Sequence, residues 1–270
     1  MKLWINNNNK EQSVQAANKL RSKLLNAGLI LDRRNPQLVI SVGGDGTLLS
    51  TFHAYAAHLD SVRFLALHTG HLGFYSDWTD TEIDELAKRI IECQDNIPST
   101  SYPVLDIVVE NKEGSLFHGI AINETVVRRL SSLTMKTRVD LDKEFFESFR
   151  GDGLCFSTPT GSTAYSKSVG GALIHPKISV FQMIEIASIN NRVYRTISSP
   201  IIIPHNQQVD LYPQTADDYV ISCDGITTKL KNVKKITIKL NYQRAQFAQY
   251  RHRHFWTRVE TAFLAQNEKK

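Results

Sequence analysis

Three glycines crowd one acid in Gly43-Gly44-Asp45-Gly46-Thr47, directly after the apolar run Leu38–Val42. A carboxylate beside a hydroxyl can take its proton, and backbone without Cβ atoms lets a phosphate chain come close. Two readings stand. One is a tight β-to-α turn with an exposed acid, since Gly and Asp are common turn formers. The other is a phosphate or nucleotide site at a strand's C-terminal end, where open α/β sheets bind ligands. The generic phosphate motifs do not fit: Gly44-Asp45-Gly46 begins a G-x-G, but Leu49 holds the third glycine position, and no P-loop pattern occurs.

Further along the chain, His68-Thr69-Gly70-His71-Leu72-Gly73-Phe74 is a second glycine-punctuated stretch after an apolar run. Asn123-Glu124 is a polar pair at a predicted strand end, suited to ribose hydroxyls or an amide, or else a turn start. In Phe149-Arg150-Gly151-Asp152-Gly153 the Arg can fix a phosphate and the Asp can accept from a ligand amide or hydroxyl. The alternative there is a hairpin turn with a local Arg–Asp pair. Ser157 to Ser168 is dense in hydroxyls and is followed by Gly170-Gly171, a composition that fits a ligand-lining loop or a flexible linker. His68, His71 and His175 are scattered, and a structural histidine is the reading for each. Arg251-His252-Arg253-His254 with Arg258, flanked by Tyr250, Phe255 and Trp256, is either a nucleic-acid or phosphate contact or a solvated basic edge on an aromatic cluster.

The elements that must position these residues follow from periodicity. Lys2–Asn6, Leu38–Val42 and Arg63–Leu67 read as strands. Lys10–Ala27 reads as a helix with Val14, Ala17, Leu20 and Leu24 on one face and Gly28 as its stop, and Leu48–His58 as the helix after the glycine turn. Thr79 and Glu82 have capping-box spacing ahead of the apolar face Ile83, Leu86 and Ile90. Residues 1–98 thus alternate strand and helix, the pattern of a parallel α/β unit. From Val104 short strands dominate: Leu105–Glu110 and Leu116–Ile122 around a hairpin loop, then Met135–Leu141, Ile201–Ile203, Val209–Tyr212, Tyr219–Cys223 and Ile236–Leu240. Thr163–Arg192 is the exception, and Phe181–Ile189 is expected to include a helix. Residues 99–245 therefore form a β-rich, all-β sandwich-like domain. The tail 246–270, with Trp256, Val259 and Phe263 at helical spacing, packs back on the first domain.

Composition bounds the function classes. The chain has 270 residues, 41% hydrophobic and 22% charged, as in an ordinary globular protein. Its N-terminus turns polar at once, and no apolar run approaches the roughly 18 residues of a membrane helix. Cys93, Cys155 and Cys223 are far apart and form no C-x-x-C, which argues against a disulfide framework or a zinc site and for a reducing cytoplasm. A formal net charge of +5 suits polyphosphate ligands, and the basic residues are mostly dispersed.

Taken jointly, Gly43–Thr47, His68–Phe74, Asn123-Glu124, Arg150–Gly153 and Thr158–Tyr165 occur in the order and spacing of bacterial NAD kinases. The chain resembles the short Gram-positive members over essentially its full length. Ala187–Arg192 and the Phe255-Trp256 region are similar too. The glycine-acid motif alone is shared with diacylglycerol and sphingosine kinases and a looser phosphofructokinase-like group. The resemblance implies an α/β N-terminal domain that binds the phosphoryl donor, a β-rich C-terminal domain that binds NAD, and an active site between them. It implies transfer of the ATP γ-phosphoryl group, or a polyphosphate phosphoryl group, to the 2′-hydroxyl of the adenosine ribose of NAD. By the same resemblance Asp45 is the general base, and Gly46 and Phe74 contact the nucleotide. Asn123 and Glu124 hold ribose hydroxyls, while Asp152 and Ala187, with Arg150, meet the nicotinamide end across a subunit interface. Thr163, Ala164, Tyr165 and Ser168 line the adenosine part, with Ser166 and Lys167 in the same set. A divalent metal, usually Mg²⁺, and a dimer of dimers are further implications. After Asp224 this chain has Gly225, where relatives vary, so no contact there is transferred.

Three other classes compete. A lipid or small-molecule kinase shares the glycine-acid motif, but the chain lacks an amphipathic membrane-docking helix. An idle NAD sensor has no need of Asp45. A nucleic-acid binder would show a steep salt dependence of affinity.

Overall fold

The computed structural model describes residues 1–70, 73–215, 218–251 and 253–265. They form two units, Met1–Tyr102 with the chain from Arg244 on, and Pro103–Gln243.

The first unit is built on a parallel sheet. Its strands in chain order are β1 (Lys2–Asn7), β2 (Ile30–Leu31), β3 (Leu38–Val42), β4 (Arg63–His68), β5 (Trp78–Thr79) and β6 (Ser99–Tyr102). Strand β3 lies between β1 and β4, parallel to both, and all five of its residues are buried. This is why Leu38–Val42 reads as an unbroken apolar run rather than an alternating one. Helix α1 (Glu11–Asn26) buries Ser13, Ala16, Ala17, Leu20 and Leu24 and ends before Gly28, which takes φ +83°. Val14 is 37% exposed, because the buried face is turned toward Ser13, whose hydroxyl bonds that of Thr69 at 2.7 Å. Helix α2 (Asp45–Ala54) starts three residues earlier than its apolar pattern suggests, and Ala56–His58 is a separate 3₁₀ turn. Helix α3 (Ile83–Glu92) buries Ile83, Leu86 and Ile90 behind a complete Thr79–Glu82 capping box.

The second unit is a sandwich of two six-stranded antiparallel sheets. Its strands are β7 (Leu105–Asn111), β8 (Leu116–Ala121), β9 (Glu124–Arg129), β10 (Met135–Leu141), β11 (Glu144–Gly151), β12 (Gly153–Ser157), β13 (Val180–Ile186), β14 (Ile201–Pro204), β15 (Gln208–Pro213), β16 (Tyr219–Cys223), β17 (Ile226–Leu230) and β18 (Val233–Leu240). One sheet has the order β11-β10-β15-β18-β7-β8 and the other β14-β13-β12-β9-β16-β17. Ile107, Val109 and Ile238 from the first meet Val127, Phe156, Phe181 and Met183 from the second in one core.

Two expectations change here. Phe181–Ile189 holds no helix: its first residues belong to β13, paired on both sides by β12 and β14. Phe181 and Met183 enter the core while Gln182 and Ile184 are buried on the other face, so the run shows no alternation, and a strand buried on both faces looks like a helix segment. The Arg150–Gly153 stretch is not a hairpin turn either. Strands β11 and β12 belong to different sheets, and Gly151 and Gly153 carry the chain across at close quarters. A Cβ on Gly153 would lie 2.6 Å from the Val127 carbonyl oxygen.

The chain then returns to the first unit. Strand β19 (Ala245–Ala248) pairs with β4 in parallel and with β6 antiparallel, which keeps Ser99–Tyr102 in that unit. The tail helix, Phe255–Phe263, buries Val259. No helix among the described residues is long and apolar enough to cross a membrane.

Candidate functional site

At the end of β3 the glycine turn bends into α2 through Gly43, whose φ is +152°. A Cβ there would strike the Thr47 hydroxyl at 2.4 Å. Gly44 caps the helix in extended conformation and Asp45 is the first helical residue, so its carboxylate lies at the positive end of the helix dipole. Asp45 Oδ2 accepts the Phe74 backbone N–H at 3.0 Å, and Oδ1 is buried with no partner among the described residues. Gly73 makes this contact possible: a Cβ on it would lie 2.2 Å from Oδ1. The structure thus joins Asp45 to the second glycine-punctuated stretch, and it leaves Gly46 exposed beside it. His68 sits next to the turn, its Nε2 3.8 Å from where a Gly44 Cβ would be. His71 and Leu72 lie outside the described residues.

The tail braces this corner. Arg258 donates to the Phe74 carbonyl and to Asp77 Oδ1, and the Phe74 and Phe263 rings are 5.4 Å apart. Arg251 lies 3.9 Å over the Trp78 ring and pairs with Glu82 at 2.5 Å. The basic stretch singled out in the sequence therefore spends Arg251 and Arg258 on internal contacts; His252 lies outside the described residues.

In the second unit Asn123 precedes β9 and Glu124 begins it. Asn123 is 7% exposed. The hydroxyl-rich stretch wraps around this pair instead of forming a linker. Thr158 and Thr160 donate their hydroxyls to the Ile122 carbonyl at 2.5 and 2.8 Å, and the Thr158 N–H donates to the Asn123 carbonyl at 2.9 Å. Gly161 packs so tightly that a Cβ would lie 2.0 Å from the Asn123 carbonyl oxygen. Thr163 is buried at the end of a 3₁₀ turn, Ala164 and Tyr165 are half-buried, and the short helix α4 (Tyr165–Ser168) leaves Lys167 and Ser168 exposed. Ser166 is fully buried; its hydroxyl accepts Gln182 Nε2 at 3.0 Å and is committed to holding the loop. The Tyr165 hydroxyl receives Arg128, a contact that sequence reasoning did not anticipate.

Glu124 carries the clearest electrostatic signature here. Burial, then the neighbouring Asp224 carboxylate, push its carboxyl up to about 7, against the lowering effect of the Tyr165 backbone N–H. Its Oε2 is buried without a partner among the described residues. A buried carboxyl pushed toward its neutral form is a candidate for a functional position.

Arg150, Asp152 and Ala187 form a third group. Arg150 lies 3.9 Å from the centre of the Tyr194 ring, and its carbonyl accepts the Ile189 N–H at 2.8 Å. Asp152 is exposed, and its N–H donates to the Ile186 carbonyl at 2.9 Å. Ala187 takes φ +48°, an uncommon conformation for a residue with a side chain. Glu124 pairs with Ser157 at one end of β12, while Gly153 starts the other end. Four strand steps separate these ends by roughly 13 Å.

Comparison with known proteins gives the family and the fold. The family model described as ATP-NAD kinase N-terminal domain matches residues 5–96, and that described as ATP-NAD kinase C-terminal domain matches residues 122–250. The NAD kinase of Lacticaseibacillus paracasei is 50% identical over 264 residues, 98% of each chain. That of Enterococcus faecalis is 46% identical over 268 residues, 99% of this chain and 100% of the relative. Among solved structures, yeast NADH kinase complexed with NADH superposes with a TM-score of 0.83 at 20% identity, covering 100% of this chain and 89% of that one. An Archaeoglobus fulgidus NAD kinase in complex with ATP gives 0.74 at 19% identity, covering 93% and 94%. At such identities these two likenesses speak for the fold alone.

Proposed function

The chain belongs to the NAD kinase family, and we propose that its two units divide the task, the first binding the phosphoryl donor and the second NAD. The protein is an NAD kinase, phosphorylating NAD with ATP. In this reaction the 2′-hydroxyl oxygen of the adenosine ribose bonds to the γ-phosphorus. The bond from that phosphorus to the β–γ bridging oxygen breaks, ADP leaves, and the hydroxyl proton passes to a base.

One observation carries the assignment of that base. Asp45 has one oxygen fixed by the Phe74 N–H and the other buried and without a partner among the described residues. A secondary hydroxyl is a poor nucleophile, and a carboxylate within hydrogen-bond reach can accept its proton as the phosphoryl group moves. The remaining work is positioning and charge neutralisation. Gly46 and Phe74 flank the donor's phosphates. Asn123 and Glu124 take ribose hydroxyls, and Thr163, Ala164, Tyr165 and Ser168 line the adenosine, with Lys167 exposed beside them. Because the turn reads a phosphate chain, polyphosphate can serve in place of ATP.

The described residues include no group of three or more His, Cys, Asp or Glu able to hold a metal. Mg²⁺ needs no such cage, since substrate phosphates and one or two carboxylates can hold it. When bound, the ion neutralises phosphate charge. Arg150, Asp152 and Ala187 lie roughly 13 Å along β12 from Glu124. They meet the nicotinamide end of NAD across a subunit interface in a dimer of dimers, as the resemblance to the family implies. The three cysteines are free, which suits the cytoplasm.

The test is Asp45→Asn. NAD affinity by calorimetry stays, while NADP formation from NAD and ATP falls by about 10²–10⁴-fold, the usual worth of a general base. A turnover rate near that of the unaltered enzyme would remove Asp45 from this role.

A further inference from the structure

The turn between β16 and β17 is two residues long, Asp224-Gly225, with φ +49° and +85°. Two central residues with positive φ are what a tight hairpin requires, and Asp-Gly is a favoured pair for it. The Asp side chain goes further than the turn needs. Its Oδ2 accepts the Ile122 N–H at 2.9 Å, and its Oδ1 accepts those of Asn123 at 2.8 Å and Glu124 at 3.1 Å. The Asp224 N–H in return donates to the Glu124 carbonyl at 3.0 Å. Strand β9 pairs with β16 up to Thr125 opposite Cys223, so the carboxylate collects the three backbone donors just beyond the ladder's end.

That carboxylate is also a charged neighbour of the Glu124 carboxyl. The other groups near Glu124 are the Cys155 thiol on β12, which burial pushes well up, and the Tyr165 backbone N–H on the hydroxyl-rich loop. Arg128 on β9 lies near that thiol and is held by the Tyr165 hydroxyl. Burial and a negative neighbour both favour the neutral acid, and a neutral acid can donate a hydrogen bond where a carboxylate can only accept.

We propose that Asp224 is a positioning residue for the NAD-binding pair, fixing the backbone of Asn123 and Glu124 and selecting the neutral acid of Glu124 as a hydrogen-bond donor to a ribose oxygen. The inference rests on the reading of Asn123-Glu124 as the ribose-binding pair.

NAD binding measured by calorimetry across about pH 5 to 8, with thermal unfolding alongside, tests it. In the unaltered enzyme affinity falls as pH rises through about 7, as the Glu124 proton is lost. Glu124→Gln, a permanent donor, binds NAD without that pH step. Asp224→Asn removes the charge and turns an amide NH₂ toward the donor set; it weakens binding roughly tenfold, as expected for lost hydrogen bonds to a charged group. It also moves the midpoint down, toward the ordinary Glu range. A flat pH profile in the unaltered enzyme overturns the proposal. So does an Asp224→Asn protein that binds more weakly at every pH with an unmoved midpoint, the mark of a purely structural Asp. Should Asp224→Asn not fold, persistence of the pH step in Glu124→Gln refutes the donor role by itself. If Asn123→Ala and Glu124→Gln both bind NAD as tightly as the unaltered enzyme at all pH values, the ribose assignment fails, a result distinct from failure of Asp224 alone.

Discussion

Adding one methyl group at Gly161 tests how rigidly the NAD-binding pair is held. An ideal Cβ there lies 2.0 Å from the Asn123 carbonyl oxygen, 2.4 Å from its carbon and 2.6 Å from its Cα. Ordinary contact begins at 3.4 Å, so one side must give way by about 1.4 Å. The obstacle is backbone, which no rotamer change relieves. Asn123 is tied by its N–H to Asp224, and its carbonyl accepts the Thr158 N–H at 2.9 Å. On the other side the Gly161 N–H is tied to the Thr158 hydroxyl at 3.1 Å. Gly161 is not a positive-φ glycine, so the clash is steric and the backbone angle adds nothing. Overpacking of this kind costs about 1–3 kcal/mol. At roughly 2–4 °C per kcal/mol for a chain of this size, Gly161→Ala melts several degrees lower. A displacement of about 1 Å in a positioning element can cost 10²-fold in rate. Steady-state kinetics should therefore show the KM for NAD raised by about 10- to 100-fold. The KM for ATP changes far less, because Asp45, Gly46 and Phe74 belong to the other unit. A Gly161→Ala enzyme with an unchanged melting temperature and NAD KM would refute the argument that this glycine sets the place of Asn123.

Two more outcomes follow from the same kind of reading. Gly73→Ala puts a Cβ 2.2 Å from Asp45 Oδ1 and forces the carboxylate away from the Phe74 N–H; kcat falls by about tenfold or more. The melting temperature changes little, because only a side-chain end must move, and an unaltered kcat would show that the Asp45 orientation is unimportant. Glu147→Gln concerns a carboxyl that burial, then Glu185, push up to about 7. Its oxygen Oε2 accepts the Ile197 N–H, and its Oε1, like that of Glu185, finds no donor. An acid with its folded pKa raised contributes fully below the unfolded value of 4.5 and costs stability as pH climbs from there to about 7. The unaltered protein thus loses stability across that window, and Glu147→Gln does not. Thermal midpoints against pH check this, and parallel curves for the two proteins would contradict it.

What could be read from the sequence was whatever the physics makes local. Helix α3 announces itself because Thr79 and Glu82 cap it and Ile83, Leu86 and Ile90 recur on one face. Strand β3 is legible because a central parallel strand is apolar throughout, and the glycines after it mark the turn that carries Asp45. Strand β13 was not, because burial on both faces erases the alternation that distinguishes a strand. The site divides along the same line. Each motif was visible as a cluster of residue types, but the parts that hold the motifs in place come from far along the chain. Asp224 reaches Asn123 over 101 residues, Phe74 reaches Asp45 over 29, and Gly161 meets the Asn123 carbonyl over 38. None of these pairings leaves a periodic trace. Each depends on which strands become neighbours, and a shift of one residue in the β9–β16 pairing would carry the Asp224 carboxylate away from the three N–H groups it now serves. The chemistry of this protein is therefore written in short motifs, while its precision is written in the contacts between them, and substitutions at Gly73, Gly161 and Asp224 act on those contacts.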